Sequence, residues 1–499
     1  MHPNDEAAIA ARAGIQYHRR EIVALDAKIA SLLGEVAILQ KLKEEHQDQR
    51  RRFESVLTLA RRLPPELLGQ IFEHCVDVQA SAPIILSQVC VSWRDAARSA
   101  PRIWSRLFID CYRLGSAAKA AHWIAMSGDH VPLHIKLFPD GRSLRSVMDV
   151  LLQHAARWKG FTVDADLLSH ASEILEIIRT SGRVFANMET LEFIVHEDGA
   201  ASLNFREAFG SRTFPRLRSV ALQTESWSRA RLPSQITALN LVIPVMSLPS
   251  QMYSWTIELL RELPDLQSFS LDFPDAYPAD TLEVLGDVML LMPHLHTVIL
   301  TGCYPLFETL AHLTLPALRH LCLRDTGKVV SGVPSAAPTL LRMIARSSPP
   351  VETLELHDVD LTDIDFSRCF IRLPTLEELF LHGSDISDVV FRRFCSPQPN
   401  EEAVHDSPPW VCPQLKRLDL RWCSQLSGKA IVELAEARLA AGLGPIAEVV
   451  LINCPSVRQE DILALADLTV CRLRNRTGDF CCKFGSLAHC CSFVISCGR

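Results

Sequence analysis

Long apolar runs are missing from this sequence, in which no stretch of about 18 uninterrupted apolar residues occurs. The first residues, Met-His-Pro-Asn-Asp-Glu, are polar and acidic, and no apolar segment of the kind that a secretory signal needs follows them. We therefore expect neither a membrane-spanning helix nor export. The 16 cysteines should then be mostly reduced thiols that pack as small hydrophobic side chains, in the cytosol or the nucleus.

Concentrated positive charge is missing as well. The formal net charge is −7, and neither half of the chain carries a clustered basic face. Proteins that bind nucleic acids usually have such a face, because contacts to phosphate dominate their affinity. We therefore expect no nucleic-acid partner.

Motifs that carry chemistry in enzymes are also absent. The sequence has no Gly-x-Gly-x-x-Gly loop, no P-loop, no Gly-x-Ser-x-Gly and no His-Glu-x-x-His. Six cysteines and His489 crowd into residues 471–499, but the adjacent pairs at 481–482 and 490–491 fit metal-ligand spacing poorly. We predict no enzymatic activity, no cofactor and no metal, and a cysteine-rich tail over 471–499 outside the fold.

The chain does contain enough apolar material for two or three folded units, with 48% apolar residues among 499. Residues 12–60 are predicted to form a helix with apolar residues at alternating spacings of three and four: Ile22, Leu25, Ile29, Leu32, Val36 and Leu39. This seam is typical of a coiled coil, which would form a homodimer or fold back on the body. A single amphipathic helix packed on the next domain explains it equally well.

Residues 61–110 differ, because Leu63-Pro64-Pro65 stops one helix and favours the start of another. We predict three short elements here, the last of them opened by Pro101. The first two carry broad apolar stripes: Leu67, Leu68, Ile71, Phe72 and Cys75, then Leu86, Val89, Cys90 and Trp93. These stripes exceed what so small a unit can bury, which indicates a surface for a partner.

The segment 181–470 is repetitive. The pattern Pro-x-Leu-x-x-Leu-x-Leu and weaker copies of it occur ten times, with the last apolar residue at 193, 222, 241, 271, 300, 323, 356, 381, 420 and 451. A mean spacing of about 29 residues matches leucine-rich repeats. The last two apolar residues of each copy are two apart and so share one face of a strand. The predicted fold class is therefore α/β, a leucine-rich repeat solenoid with a parallel sheet.

Residues 111–180 are predicted to be a transitional segment that holds atypical first repeats, with strands at 131–137 and 154–163 and a helix at Ala171–Thr180. Within the solenoid, we expect helices at Trp255–Leu263 and Thr281–Met292. Irregular loops are expected at 325–338 and 396–411, where Ser, Pro, Gly and charged residues cluster.

Outward strand positions of the better repeats are the candidate residues for binding another protein: Arg324, Glu355, His357, Phe380, His382, Asp419 and Arg421. For each of them, the alternative is an ordinary solvated strand residue. Phe380 is the most suggestive, because a large aromatic side chain on an exposed face favours contact with a partner.

With LPPELLGQIFEHC (63–75), APIILSQVCVSWRDAARSAPRIWSRL (82–107) and leucine-rich repeats after them, the chain resembles fungal F-box proteins, the substrate-recognition subunits of SCF-type ubiquitin ligases. The resemblance implies a three-helix F-box over 61–110 that binds a Skp-type linker protein and, through it, a cullin. Carried over residue by residue, the linker contacts fall on Leu63, Pro64, Leu67, Leu68, Ile71, Leu86 and Cys90. For Phe72, Val89 and Trp93 we instead expect a place in the interior of the F-box.

The resemblance implies a non-catalytic adaptor, whose repeats hold a substrate protein while another subunit transfers ubiquitin to it. The rival interpretation is a leucine-rich scaffold that binds proteins without any ligase, its F-box-like segment serving only as a helical cap. Copurification of the linker protein distinguishes the two.

Overall fold

The computed structural model describes residues 3–57, 63–79, 81–196, 205–224, 231–245, 250–274, 286, 288–326, 336–397 and 410–474. The chain divides into two units, Met1–Ile103 and Trp104–Arg499. The first unit is helical, and the second is built on a parallel sheet.

Helix α1 (Pro3–Leu57) forms the start of the first unit. It begins before the predicted residue 12, and residues 58–60 of the prediction lie outside the described residues. Its six seam residues remain between 46% and 63% exposed, so the seam does not pack on the neighbouring helices of its unit. Neither α1 nor any other helix among the described residues has the length and apolar character that crossing a membrane requires.

Three further helices complete the first unit: α2 (Pro65–Val78), α3 (Ala82–Val89) and α4 (Val91–Arg98), followed by a 3₁₀ helix at Pro101–Trp104. Pro64 and Pro65 occupy the N-cap and the first position of α2, where the missing amide hydrogen costs little. The sequence predicted a single second helix through Trp93, but the backbone turns extended at Cys90 (φ −160°, ψ 173°). The Cys90 sulfur there accepts a hydrogen bond from the Trp93 backbone N–H, 3.5 Å away, and caps α4.

Fourteen of the described strands form one parallel sheet in which spatial order follows chain order. Their bounds are β1 (Arg106–Asp110), β2 (Leu133–Phe138), β3 (Trp158–Ala165), β4 (Thr190–Val195), β5 (Ser219–Gln223), β6 (Ala238–Val242), β7 (Ser268–Asp272), β9 (Thr297–Gly302), β11 (His320–Asp325), β12 (Thr353–His357), β13 (Glu378–His382), β14 (Arg417–Arg421), β15 (Glu448–Ile452) and β16 (Val470–Arg474). Two short strands, β8 (Leu290–Leu291) and β10 (Leu313–Thr314), pair separately.

The ten last apolar residues of the sequence pattern form one continuous row across this sheet. Phe193 pairs in register with Leu222, Leu222 with Leu241, and so on through Leu420 and Leu451. All ten side chains are buried. Because side chains alternate between the two faces of a strand, the residues beside this row face the opposite side of the sheet.

Helices and 3₁₀ segments connect the strands and cover the apolar side of the sheet. The helices are α5 (Ser116–Met126), α6 (Leu144–Leu152), α7 (Leu168–Thr180), α8 (Phe205–Ala208), α9 (Met252–Arg261), α10 (Ala337–Ser347), α11 (Asp363–Ile371), α12 (Asp388–Phe394), α13 (Gly428–Ala440) and α14 (Gln459–Leu468). The 3₁₀ segments are Ala155–Arg157 and Tyr304–His312. Buried residues on these helices, such as Leu340 and Ile344 of α10, supply the other half of the core.

Two of the predicted segments contain strands of the sheet. The first strand, β1, lies at the end of the segment predicted to be the F-box (61–110), and the second unit of the structure begins at Trp104. The segment 111–180 is continuous with the rest of the sheet, since its strands β2 and β3 pair with β1 and β4. The expected helix at Thr281–Met292 is wrong at its end, where β8 lies, and most of 281–287 falls outside the described residues.

The sheet continues past residue 470, where the predicted repeat segment ends. Cys471 belongs to β16, whose pairing with β15 extends to Arg474. Residues 475–499, and most of the loops expected at 325–338 and 396–411, lie outside the described residues.

The position of β16 predicts how truncations behave. A chain ending at Arg474 retains the full pairing of β16 with β15 and should keep the melting temperature of the whole chain. A chain ending at Thr469 loses that strand and uncovers apolar residues of β15, so its melting temperature should fall. Calorimetry of the two truncations tests this, and a large loss of stability in the longer one would contradict it.

The exposed seam of α1 predicts self-association. The full chain should sediment as a dimer at micromolar concentration, and Leu25→Asp with Leu32→Asp should make it monomeric, because charge cannot be buried in the seam. The matched control is Val23→Asp with Ile38→Asp, two exposed apolar residues of α1 that lie off the seam. A monomeric wild type, or equal effects of both pairs, would disprove the coiled coil.

Candidate functional site

One candidate surface lies on the helices after Pro64. Leu67 and Ile71 are four residues apart on α2, so they share one face of the helix. They are 45% and 44% exposed, and Pro64 is exposed beside them. Leu63 is half-buried. These four of the predicted linker contacts are therefore accessible in whole or in part.

The other three predicted contacts need correction or qualification. Leu68 and Leu86 are buried, because they fill the interior between the helices of the first unit. Cys90 is half-buried, and its sulfur is engaged as the cap of α4. In the described fold, Leu68 and Leu86 therefore belong to the core and not to the accessible surface.

Of the three residues expected inside the F-box, two are at least half-buried and one is exposed. Phe72 is fully buried, and its ring lies 5.1 Å from the half-buried ring of Trp93. Val89, which was also expected inside, is 57% exposed at the end of α3. Val89 is the last residue of α3, directly before the extended backbone at Cys90.

Apolar residues that the sequence did not single out are exposed as well. Ile84 and Ile85 of α3 and Val91 of α4 are exposed together with Val89. Cysteine is not among the residues that usually cap helices, so the sequence gives no warning of the break. The first unit thus presents more apolar surface than the α2 stripe alone.

A second candidate surface is the outward face of β11–β14, where polar side chains form a connected network. Glu355 lies at its start and accepts hydrogen bonds at 3.1 Å from His320 Nε2 and at 3.3 Å from His357 Nε2. Burial alone would raise the pKa of Glu355, but the hydrogen bonds from the two histidines outweigh it and hold the pKa below its usual range. The carboxylate is therefore ionised at neutral pH.

The network continues through a pair of histidines. The rings of His357 and His382 meet edge to face, with centroids 4.1 Å apart. His382 Nε2 then donates to Asp419 Oδ1 at 3.2 Å. Burial lowers the pKa of His382 to about 4, although the Asp419 hydrogen bond opposes this, so its imidazole is neutral at pH 7.

Asp419 and Arg421 close the network. Arg421 donates from Nε and Nη2 to the two carboxylate oxygens of Asp419, at 2.7 and 2.9 Å. Burial alone would raise the pKa of Asp419, but the hydrogen bonds from Arg421 and His382 lower it to about 2. A fully buried carboxylate is thus matched by a guanidinium in the bidentate geometry that such pairs favour.

The structure thus joins five of the seven predicted outward residues in one network: Glu355, His357, His382, Asp419 and Arg421. Arg324 lies opposite His357 in the strand register. Phe380 is half-buried under the guanidinium of Arg417, whose Cζ lies 5.0 Å from the ring centroid. The prediction placed all seven on an exposed face, but His357, His382 and Asp419 are buried. Neighbouring strands are only about 4.8 Å apart, so their side chains cover one another.

Other residues of this face were not predicted from the sequence. His320 and Cys322 alternate with the buried Leu321 and Leu323 of β11, so the same outward pattern would have identified them. Further along, Glu448 lies 3.0 Å from Arg417 Nε and 2.5 Å from Arg472 Nε. These three side chains come from three different strands, so a search for local motifs does not find them.

The buried pair predicts a large effect on stability. Asp419→Ala removes the carboxylate that accepts from His382 and Arg421, and breaking a buried ion pair costs about 3–5 kcal/mol. The control is Glu377→Ala, which removes a half-exposed partner of Lys416 and should cost about 1 kcal/mol or less. Denaturant unfolding of both variants measures this difference, and equal small losses would show that the network does not stabilise the sheet.

Comparison with known families bears on the first surface. Residues 60–110 match the family model of the F-box-like domain. No curated protein matches the chain. The matched segment contains α2, α3, α4 and the exposed apolar residues around Leu67 and Ile71, and such a domain indicates a Skp-binding adaptor role.

Proposed function

We propose that this chain is a non-catalytic adaptor that binds a Skp-type linker protein through α2 and α3 and recruits substrate proteins for ubiquitination through its sheet. The observation that carries the proposal is the F-box-like match over residues 60–110, on a segment with exposed apolar side chains. The linker would connect the chain to a cullin. Ubiquitin transfer would take place on another subunit, and this chain would raise the local concentration of the substrate.

The linker surface centres on Leu67 and Ile71. These side chains lie one helical turn apart beside Pro64, and an isolated unit gains nothing by exposing them. Burial of each against a partner would remove apolar area from water. Ile84, Ile85 and Val89 of α3 extend the surface that such a partner would cover.

The sheet supplies the second binding function. The in-register row of buried leucines and the helix-containing connections support a leucine-rich repeat solenoid, in which each unit is stabilised by its neighbours. The outward face of β11–β16 would then contact the substrate. Phe380 and Arg417 are the best anchors there, because aromatic and arginine side chains are enriched at interfaces.

The exposed seam of α1 adds a third element. Two copies joined through this helix would present two linker surfaces and two sheets, which strengthens binding to a substrate with repeated sites.

The linker surface predicts a specific loss of binding. Leu67→Asp with Ile71→Asp should weaken capture of the linker protein by well over tenfold, since loss of a buried interface anchor commonly costs about 2 kcal/mol. The matched control is Ile364→Asp with Ile371→Asp on α11, two apolar residues that are 58% and 43% exposed. It should bind the linker like the wild type.

Pull-down of a purified Skp-type linker by the three proteins measures this, with circular dichroism as the control for folding. If the double variant on α2 stays folded and binds at wild-type strength, Leu67 and Ile71 are not interface residues. If the wild type itself fails to bind, the adaptor function is wrong, and a scaffold without a ligase takes its place.

A further inference from the structure

Three potential metal ligands converge on the outward face of β11 and β12. The Cys322 sulfur, a Glu355 carboxylate oxygen and a His357 ring nitrogen all lie within 4.8 Å of one another. Cys322 and His357 are buried, and the Glu355 side chain is largely covered.

The parallel register is what assembles this group. Cys322 pairs directly with Glu355, and His357 follows two residues later on the same face of β12. Cys322 and Glu355 are far apart in the sequence, so no short cysteine or histidine motif announces them. The two strands hold all three side chains on rigid backbone, which is the support that a metal site needs.

The chemistry of the group fits one class of ion. Thiolate, imidazole and carboxylate are the three ligand types that zinc takes in proteins, whereas magnesium and calcium prefer oxygen ligands alone. Two ligand atoms that each lie about 2.0–2.1 Å from a tetrahedral zinc ion are about 3.3–3.4 Å apart. His357 Nε2 and Glu355 Oε2 are 3.3 Å apart, which matches this separation. The hydrogen that Nε2 donates to Glu355 without the metal would move to Nδ1 when zinc binds, so that the Nε2 lone pair becomes the ligand.

We propose that Cys322, Glu355 and His357 form a Zn²⁺ site on the outward face of the sheet, with the fourth position open to water or to a side chain of a bound protein. One thiolate and one carboxylate neutralise the two charges of the ion, and the thiol proton passes to solvent as the sulfur–zinc bond forms. Arg324 lies opposite His357 in the strand register and is not one of the proposed ligands. The site is independent of binding to a linker protein.

Two neighbouring histidines complete the site as positioning residues. His320 donates to the Glu355 oxygen that does not face His357, which fixes the orientation of the carboxylate. His382 packs its ring edge to face against His357. Partners of this kind typically change metal affinity about 10–100-fold when they are removed.

Zinc binding to the purified full chain tests the proposal. After dialysis against zinc and gel filtration, elemental analysis should find zinc bound to the wild type, and Co²⁺ in its place should give a thiolate-to-cobalt charge-transfer band. The bound zinc should be lost in each of three variants: Cys322→Ser, Glu355→Gln and His357→Ala. His320→Ala should bind zinc at least about 10-fold more weakly than the wild type.

Two controls locate the metal. Cys395→Ser removes a half-buried cysteine, and His134→Ala removes an outward histidine of β2. Neither residue is among the three proposed ligands, so both variants should keep the zinc content of the wild type. The cysteines at 471–499 are present in every variant, so zinc held there would persist in Cys322→Ser. Melting curves show which variants are folded, and zinc should raise the melting temperature of the wild type but not of Cys322→Ser.

The site is ruled out if the wild type binds no zinc and gains no stability from it. It is equally ruled out if Cys322→Ser and His357→Ala retain the zinc and the cobalt band of the wild type, because the metal then belongs to other cysteines.

Discussion

In-register pairing of parallel strands is the constraint on which the rest of this structure depends. Each strand contributes a buried residue to the row that runs from Phe193 to Leu451, and no strand can shift by one position without turning that residue to the opposite face. Apolar burial therefore fixes the register of the whole sheet. Once the register is fixed, the outward residues of successive strands are fixed as well, and side chains distant in sequence, such as Glu355 and Cys322, become neighbours.

The outward face consequently has its own internal order. Its polar residues do not stand separately in water: Glu355, His357, His382, Asp419 and Arg421 satisfy one another, and ionised carboxylates persist at buried positions because cations and imidazoles lie beside them. Such a network restrains its side chains, which would lower the entropic cost of binding a partner. The first unit works differently, since apolar side chains on its helices α2 and α3 are exposed.

Much of this architecture could be predicted from the sequence, because period and alternation are local signals. The strands predicted at 131–137 and 154–163, the row of leucines and the α2 stripe all rest on such patterns. Described strands and helices lie there, except that the second strand begins only at Trp158, after the 3₁₀ segment Ala155–Arg157. What escaped prediction depends on contacts between distant residues or on unusual local chemistry. The sulfur cap at Cys90 follows no common rule, and Val89 directly before it is exposed. The burial of His382 and Asp419 depends on the neighbouring strands, and so does the cluster around Cys322.

Hydrogen exchange of the full chain with and without a Skp-type linker protein tests the adaptor function most directly, because it reports where the partner binds and does not depend on any substitution. If the linker protein binds through α2 and α3, exchange should slow in peptides that cover residues 64–91 and stay unchanged in peptides that cover β12–β14. Slower exchange confined to the sheet, or no change in α2 and α3 at saturating linker concentrations, would contradict it.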